Sequence, residues 1–236
     1  MALDETLAWV RDGTQRLLAD LDSLSDGDLG GPSLLPGWTR RHLLAHVAGN
    51  ADALRNLVYW ARTGEERRMY SSPEQRAADI EKGAVLPAAQ LRDWTAQSAA
   101  QLGEDFAGLT ETAWNAKVIT AQGLTRSASE IPWMRVREVY VHAVDLDTGT
   151  GFADLPPAFL AALLDDVAAR RSSVGTSPTL TLAATDTGAT WQVSGLGKQH
   201  EITAPLAVLA GWLAGRPVTG LRDAAGAPAP SLPAWL

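Results

Sequence analysis

The stretch from Ile131 to Leu146 constrains this chain most, because it sets Glu138 and His142 four residues apart on a segment that reads as a helix. Both side chains then share one face. A second stretch, Leu35 to Asn50, carries His42 and His46 on another helix able to lie against the first. The rest of the chain reads as scaffold and lid for a metal ion held between these two helices.

Four helices are expected before residue 150. From Asp4 to Leu24 the residues Leu7, Val10, Leu17, Leu18, Leu21 and Leu24 recur at three- and four-residue steps, a helical pattern despite Gly13. Gly30, Gly31 and Pro32, then Pro36 and Gly37, are loop. Thr39 is the expected N-cap of a helix reaching to about Ala61 and stopped by Gly64. Its buried stripe is Leu43, Val47, Leu54, Leu57, Val58 and Ala61. His46 flanks that stripe and His42 falls about 40° farther out, so His46 is the inward candidate and His42 is assigned to the surface.

The charged run Glu65 to Arg68 and the polar residues to about Ala84 read as a surface connection with room for a short helix. A third helix follows from Pro87, with Leu91, Trp94, Ser98, Leu102, Phe106 and Leu109 on one face. Trp114 to Arg126 is less regular, with space for a strand or hairpin. The fourth helix begins near Ser129 or Pro132 and is expected to end at Thr148 and Gly149, glycine supplying a left-handed cap. Such a set argues for an up-and-down bundle, whose core is a common place for metal sites.

The pattern changes near residue 150. Pro156 and Pro157 open a fifth helix carrying Phe159, Leu160, Leu163, Leu164 and Val167. Thr179 to Ala184 and Thr190 to Ser194 alternate like strands, with Asp186, Thr187 and Gly188 as the hairpin between them. His200 to Thr203 adds a strand, Pro205 to Ala214 a short helix and Gly215 its cap, with Leu232 and Trp235 packing down the tail. This half reads as a small α+β domain.

His46 with Glu138 and His142 gives two imidazoles and one carboxylate. The set suits zinc or another borderline divalent ion with one position left open. Asp145 and Arg135, about one turn to either side of the pair, are candidates to fix a ring tautomer or a carboxylate oxygen. Spacing alone leaves the other reading standing, since Glu and His four apart also arise as solvated pairs.

Composition narrows the chemistry. The 236 residues include no cysteine, which excludes disulfides and a protein thiol nucleophile, so any thiol chemistry must borrow its thiol. A net charge of -7 disfavours nucleic acid and anionic membranes as partners. No stretch approaches the ~20 apolar residues of a membrane span, and the acidic start, Asp4 and Glu5, is unlike a signal peptide. The expectation is a cytoplasmic monomer that handles small molecules.

Leu35 to Thr39 running into His42 and His46, the stretch Arg135 to Leu146, and Trp212 to Arg216 resemble the motifs of the mycothiol-dependent maleylpyruvate isomerases of actinobacteria. The likeness spans nearly the whole sequence. It implies an α plus α+β chain: a DinB-like four-helix bundle over residues 1–150, then a small α/β domain over 151–236 that closes over the site. It implies a divalent metal, usually zinc, on His46, Glu138 and His142, mycothiol as thiol cofactor, and Arg216 as an essential catalytic residue. The implied reaction converts maleylpyruvate to fumarylpyruvate, a cis-trans isomerisation within gentisate degradation.

Other readings of these residues stay open. Arg216 at a helix end also serves to satisfy free carbonyls. Asn50, one turn beyond His46, is a candidate cofactor-binding residue through a hydrogen bond to a metal-held group. Trp38 reads as a packing residue, and His200 as packed or exposed. A mycothiol-dependent S-transferase and a non-catalytic metal- and thiol-binding regulator are the alternative functions.

Overall fold

The leucine spacing of the first segment forms α1 (Leu3–Ser23), in a computed structural model that describes residues 2–235. With α2 (Arg40–Thr63), α4 (Ala88–Ala107) and α6 (Ile131–Asp145) it closes a four-helix ring, in which α1 packs on α4 and α6, and α2 packs on the same two. Leu17, Leu21, Leu43, Leu44, Val47, Leu91 and Leu146 form one fully buried cluster at the heart of this ring. Burying each leucine contributes about 2 kcal/mol, which outweighs the roughly 1 kcal/mol that glycine costs inside a helix. Gly13 also has a packing reason: a Cβ there would stand 2.6 Å from Val139 Cγ2, so its absence lets α1 lie close against α6.

The supposed surface connection before Ala84 contains a full helix, α3 (Pro73–Ala84). Ser72 caps it, its Oγ accepting from the Gln75 amide at 3.1 Å, and Pro73 occupies the first turn. Ile80, Gly83 and Ala84 are buried. A Cβ on Gly83 would come within 2.6 Å of Ala45 Cβ and 2.7 Å of Trp94, so the missing side chain lets α3 press on α2 beside His46. A short helix, α5 (Glu111–Asn115), and a hairpin of β1 (Lys117–Ile119) and β2 (Thr125–Ser127) fill the less regular stretch.

The last bundle helix stops three residues before the expected Thr148. Asp147, at φ 56°, takes the left-handed turn, and its amide donates to Val144 O at 3.1 Å. The physical reason lies far off in sequence. Arg40, at the start of α2, donates from Nε to Leu146 O at 2.6 Å and from Nη2 to Asp147 O at 3.1 Å, while the Leu34 amide takes Asp145 O at 2.9 Å. Those contacts satisfy the last carbonyls without another helical turn.

The chain divides into two compact units, Met1–Thr150 and Gly151–Leu236. In the second, α7 (Pro157–Val174) leads to a three-stranded sheet of β3 (Pro178–Ala184), β4 (Thr190–Val193) and β5 (Leu196–Ala204), followed by α8 (Leu206–Leu213). The order is β4-β3-β5, with β4 antiparallel and β5 parallel to the central strand. Leu180, Leu182 and Ala184 alternate into the core, as period-two spacing requires. Arg171 is buried within this unit. Its Nε and Nη2 donate to Leu213 O at 3.0 and 2.8 Å, and Nη1 reaches Pro233 O at 3.1 Å, pinning the end of α8 and the tail to α7. Trp235 is buried and Leu232 half-buried, as the tail reading requires.

Candidate metal centre

Helical spacing puts Glu138 and His142 on one face of α6, and the α2–α6 contact brings His46 to that face. His46 Nε2 lies 2.9 Å and His142 Nε2 3.2 Å from the same oxygen, Glu138 Oε2. The two rings stand edge to face with centroids 5.0 Å apart. One ligand atom from each of the three residues lies within 4.8 Å of the others. An ion roughly 2.0–2.1 Å from each ligand in tetrahedral geometry sets neighbouring ligand atoms about 3.3 Å apart, close to the 3.2 Å separation and somewhat longer than the 2.9 Å one.

At His142 the proton inventory supports the same fit. His142 Nδ1 is 2.8 Å from Asp145 Oδ2, and an ionised carboxylate only accepts, so the ring's proton sits on Nδ1. In the neutral ring, Nε2 then turns a lone pair towards the lone pairs of Glu138, an arrangement that calls for a cation between them. Asp145 is fully buried and plays the orienting part expected of it.

Electrostatics agree. Burial pushes the Glu138 carboxyl up, but the two imidazoles outweigh it and hold the group well below the usual carboxylate range. At His46 burial prevails over the attraction of Glu138 and lowers the ring, favouring the neutral form that a ligand needs. At His142 burial again acts downward, yet the hydrogen bonds to Asp145 and Glu138 outweigh it and raise the ring. Surroundings that favour a proton on His142 also favour a metal cation.

Replacing Asp145 with asparagine is expected to weaken the hold on a divalent ion about 10–100-fold, read by competition with a chromophoric chelator. Unchanged affinity would mean that packing alone orients the His142 ring.

The neighbouring residues take several parts. Arg135 reaches across to α2, where Nη1 donates to Val47 O at 2.7 Å and to Asn50 Oδ1 at 3.0 Å. Asn50 is therefore buried with its oxygen on a guanidinium. Burial lowers Arg135 to about 10, opposed by Glu138, so it remains a cation at neutral pH. His42 is half-buried rather than a surface residue: its Nδ1 lies 2.7 Å from Thr39 Oγ1 and closes the first turn of α2. Trp38 packs beside the site, its ring 5.5 Å from that of His46. In the second unit, His200 Nδ1 pairs with Asp223 Oδ2 at 3.1 Å. Arg216 is half-buried there, and its Nη1 donates to Ala214 O at 2.7 Å, the contact expected of a helix-capping arginine.

Two residues near the site carried no assignment from sequence. Arg76 on α3 brings Nη2 to 3.1 Å from His46 Nδ1, and Tyr70 has its ring 5.8 Å from the Arg76 guanidinium carbon. Burial and the Glu138 charge raise the Tyr70 phenol, so it is a neutral hydroxyl at the edge of the cluster. The signal available was Ser72 followed by Pro73, a helix start, with Ile80, Gly83 and Ala84 as its apolar face.

A family model described as the mycothiol maleylpyruvate isomerase N-terminal domain matches residues 10–147. The crystal structure of a mycothiol-dependent maleylpyruvate isomerase superposes with a TM-score of 0.95 at 38% identity, covering 100% of this chain and 98% of that one. A histidine-to-alanine mutant of such an isomerase gives a TM-score of 0.95 at 37% identity, with the same coverage. YfiT from Bacillus subtilis, described as a probable metal-dependent hydrolase with an unusual four-helix bundle topology, shares the fold. That likeness has a TM-score of 0.52 at 13% identity over 61% of this chain and 83% of the other. No curated protein matches significantly in sequence. With the bundle matched by the family model and the full length matched by the crystal structures, this chain belongs to the mycothiol-dependent maleylpyruvate isomerase family.

Proposed function

We propose that this protein catalyses the mycothiol-dependent conversion of maleylpyruvate to fumarylpyruvate, using a divalent ion held by His46, Glu138 and His142. The observation that carries the reading is the convergence of two imidazole nitrogens on one carboxylate oxygen, in a chain 38% identical to such an isomerase over its whole length. Zinc suits the two-histidine, one-glutamate set best, since three protein ligands leave a position for an incoming group. Among the described residues no helix is long and apolar enough to cross a membrane. We place the activity in the cytoplasm, where a low-molecular-weight thiol stays reduced.

His46, Glu138 and His142 would hold the ion, which when bound would favour thiolate over thiol and so would supply, from mycothiol, a nucleophile for the cis double bond. The chain's own residues do the rest. Asp145 keeps the His142 proton on Nδ1 and so keeps Nε2 available as a donor to the ion. Trp38 walls one side of the His46 ring. Arg216, from the second unit, is assigned to hold a substrate carboxylate or the charge developing on the enolate, through the bidentate geometry that a guanidinium offers. With no cysteine anywhere in the sequence, no protein thiol competes for the part of nucleophile.

The test is incubation of the zinc-loaded protein with mycothiol and maleylpyruvate, following loss of the cis enone beside elemental analysis of the protein as purified. Fumarylpyruvate formed catalytically, with about one equivalent of ion, supports the proposal. A stable thioether product would make the protein an S-transferase, and tight thiol binding with no product a sensor.

A further inference from the structure

His46 meets two partners at once, Glu138 at Nε2 and Arg76 at Nδ1. A guanidinium has only donors, so the Nδ1 facing Arg76 accepts and the ring's single proton lies on Nε2. An ion on Nε2 needs the lone pair there, which moves the proton to Nδ1, where it would confront the N–H of Arg76. The observed Arg76 contact and ligation through Nε2 therefore exclude one another for a neutral ring.

The guanidinium has somewhere to go. Arg76 and His46 both line a cavity of about 630 Å³ between α2 and α3. Its carboxylates are already engaged: Asp105 and Asp52 lie 2.7 and 3.7 Å from Arg55, and Asp79 lies 3.8 Å from Lys82. Among the described residues Arg62, Arg67 and Arg76 have no carboxylate partner, Arg67 lying instead over the Tyr59 ring at 3.8 Å. In a chain of net charge -7 the cavity thus keeps an excess of cations beside the metal cluster, a local field that draws in anions.

We propose that Arg76 is an anion clamp released by metal loading: its guanidinium rests on His46 until an ion takes Nε2, then turns into the cavity to hold a carboxylate of the ligand. The identity of that anion rests on the isomerase reading above, in which the substrate carries two carboxylates and Arg216 accounts for one charge. The exclusion between Arg76 and the ion rests on this chain's geometry alone.

The test is calorimetric titration of the full chain, zinc-loaded and chelator-stripped, with maleate, a dicarboxylate that cannot isomerise to the keto product. Zinc-loaded wild type is expected to bind maleate, Arg76→Gln about 10–100-fold more weakly, and Arg76→Lys in between. Arg76→Gln is also expected to take up zinc in the same ratio and several-fold more tightly, with the competing donor gone. Wild-type maleate affinity in Arg76→Gln, no maleate binding by zinc-loaded wild type, or weaker zinc binding by the variant would each overturn the proposal. With mycothiol and maleylpyruvate, Arg76→Gln should raise KM far more than it lowers kcat. Arg76-dependent maleate binding without isomerisation would sink the isomerase reading alone. Normal isomerisation with KM and maleate affinity indifferent to Arg76 would sink the clamp alone.

Discussion

His46→Ala is expected to yield a folded protein that retains no stoichiometric metal and isomerises maleylpyruvate at no more than background, a loss of more than about 10³-fold. His46 is the sole contribution of α2 to the cluster, so its removal leaves only Glu138 and His142 from one helix. Two ligands are too few for a site that must keep an ion and still leave a place for an incoming group. Circular dichroism should show the helices intact, because the Leu43, Leu44 and Val47 core lies on the same helix but owes nothing to the imidazole. Elemental analysis decides the matter: full metal content in His46→Ala would mean the ion sits elsewhere.

Arg216→Ala separates catalysis from metal binding. The variant is expected to hold its ion at the wild-type ratio while kcat falls about 10²–10³-fold, the usual cost of removing one charged group that stabilises a developing anion. The competing role is visible in the hydrogen bond from Nη1 to Ala214 O, which caps the end of α8. If capping were the whole of its work, the variant would turn over normally and lose only about 1 kcal/mol of stability. Thermal melting and kcat measured on the same preparation therefore tell the two apart.

Much of this was legible from local pattern. The leucine spacings of α1 and α2 and the alternation of β3 are short-range signals, and Glu138 and His142 at four residues' separation needed only the assumption of a helix. The bundle as a fold class followed from them. What local pattern missed was decided by contacts distant in sequence. The early end of α6 depends on Arg40, more than a hundred residues upstream. The contact of Asn50 with Arg135 joins α2 to a helix eighty-five residues on in sequence. The helix α3 carries so many charges that it reads as a solvated face, yet Gly83 against Ala45 presses it onto α2 and delivers Arg76 to the cluster.

The bond from Arg40 to the end of α6 bears on how the ion is received. It fastens the α2 terminus that precedes His46 to the α6 terminus that follows His142, so the helices bearing the ligands are lashed together by a side chain that is no ligand itself. A vessel held to shape in this way would greet a metal with little reordering to do, unlike a zinc finger, whose chain gathers only around the ion. On the proposed metal reading, the cation would then be a visitor, replaced or stripped without the house coming down.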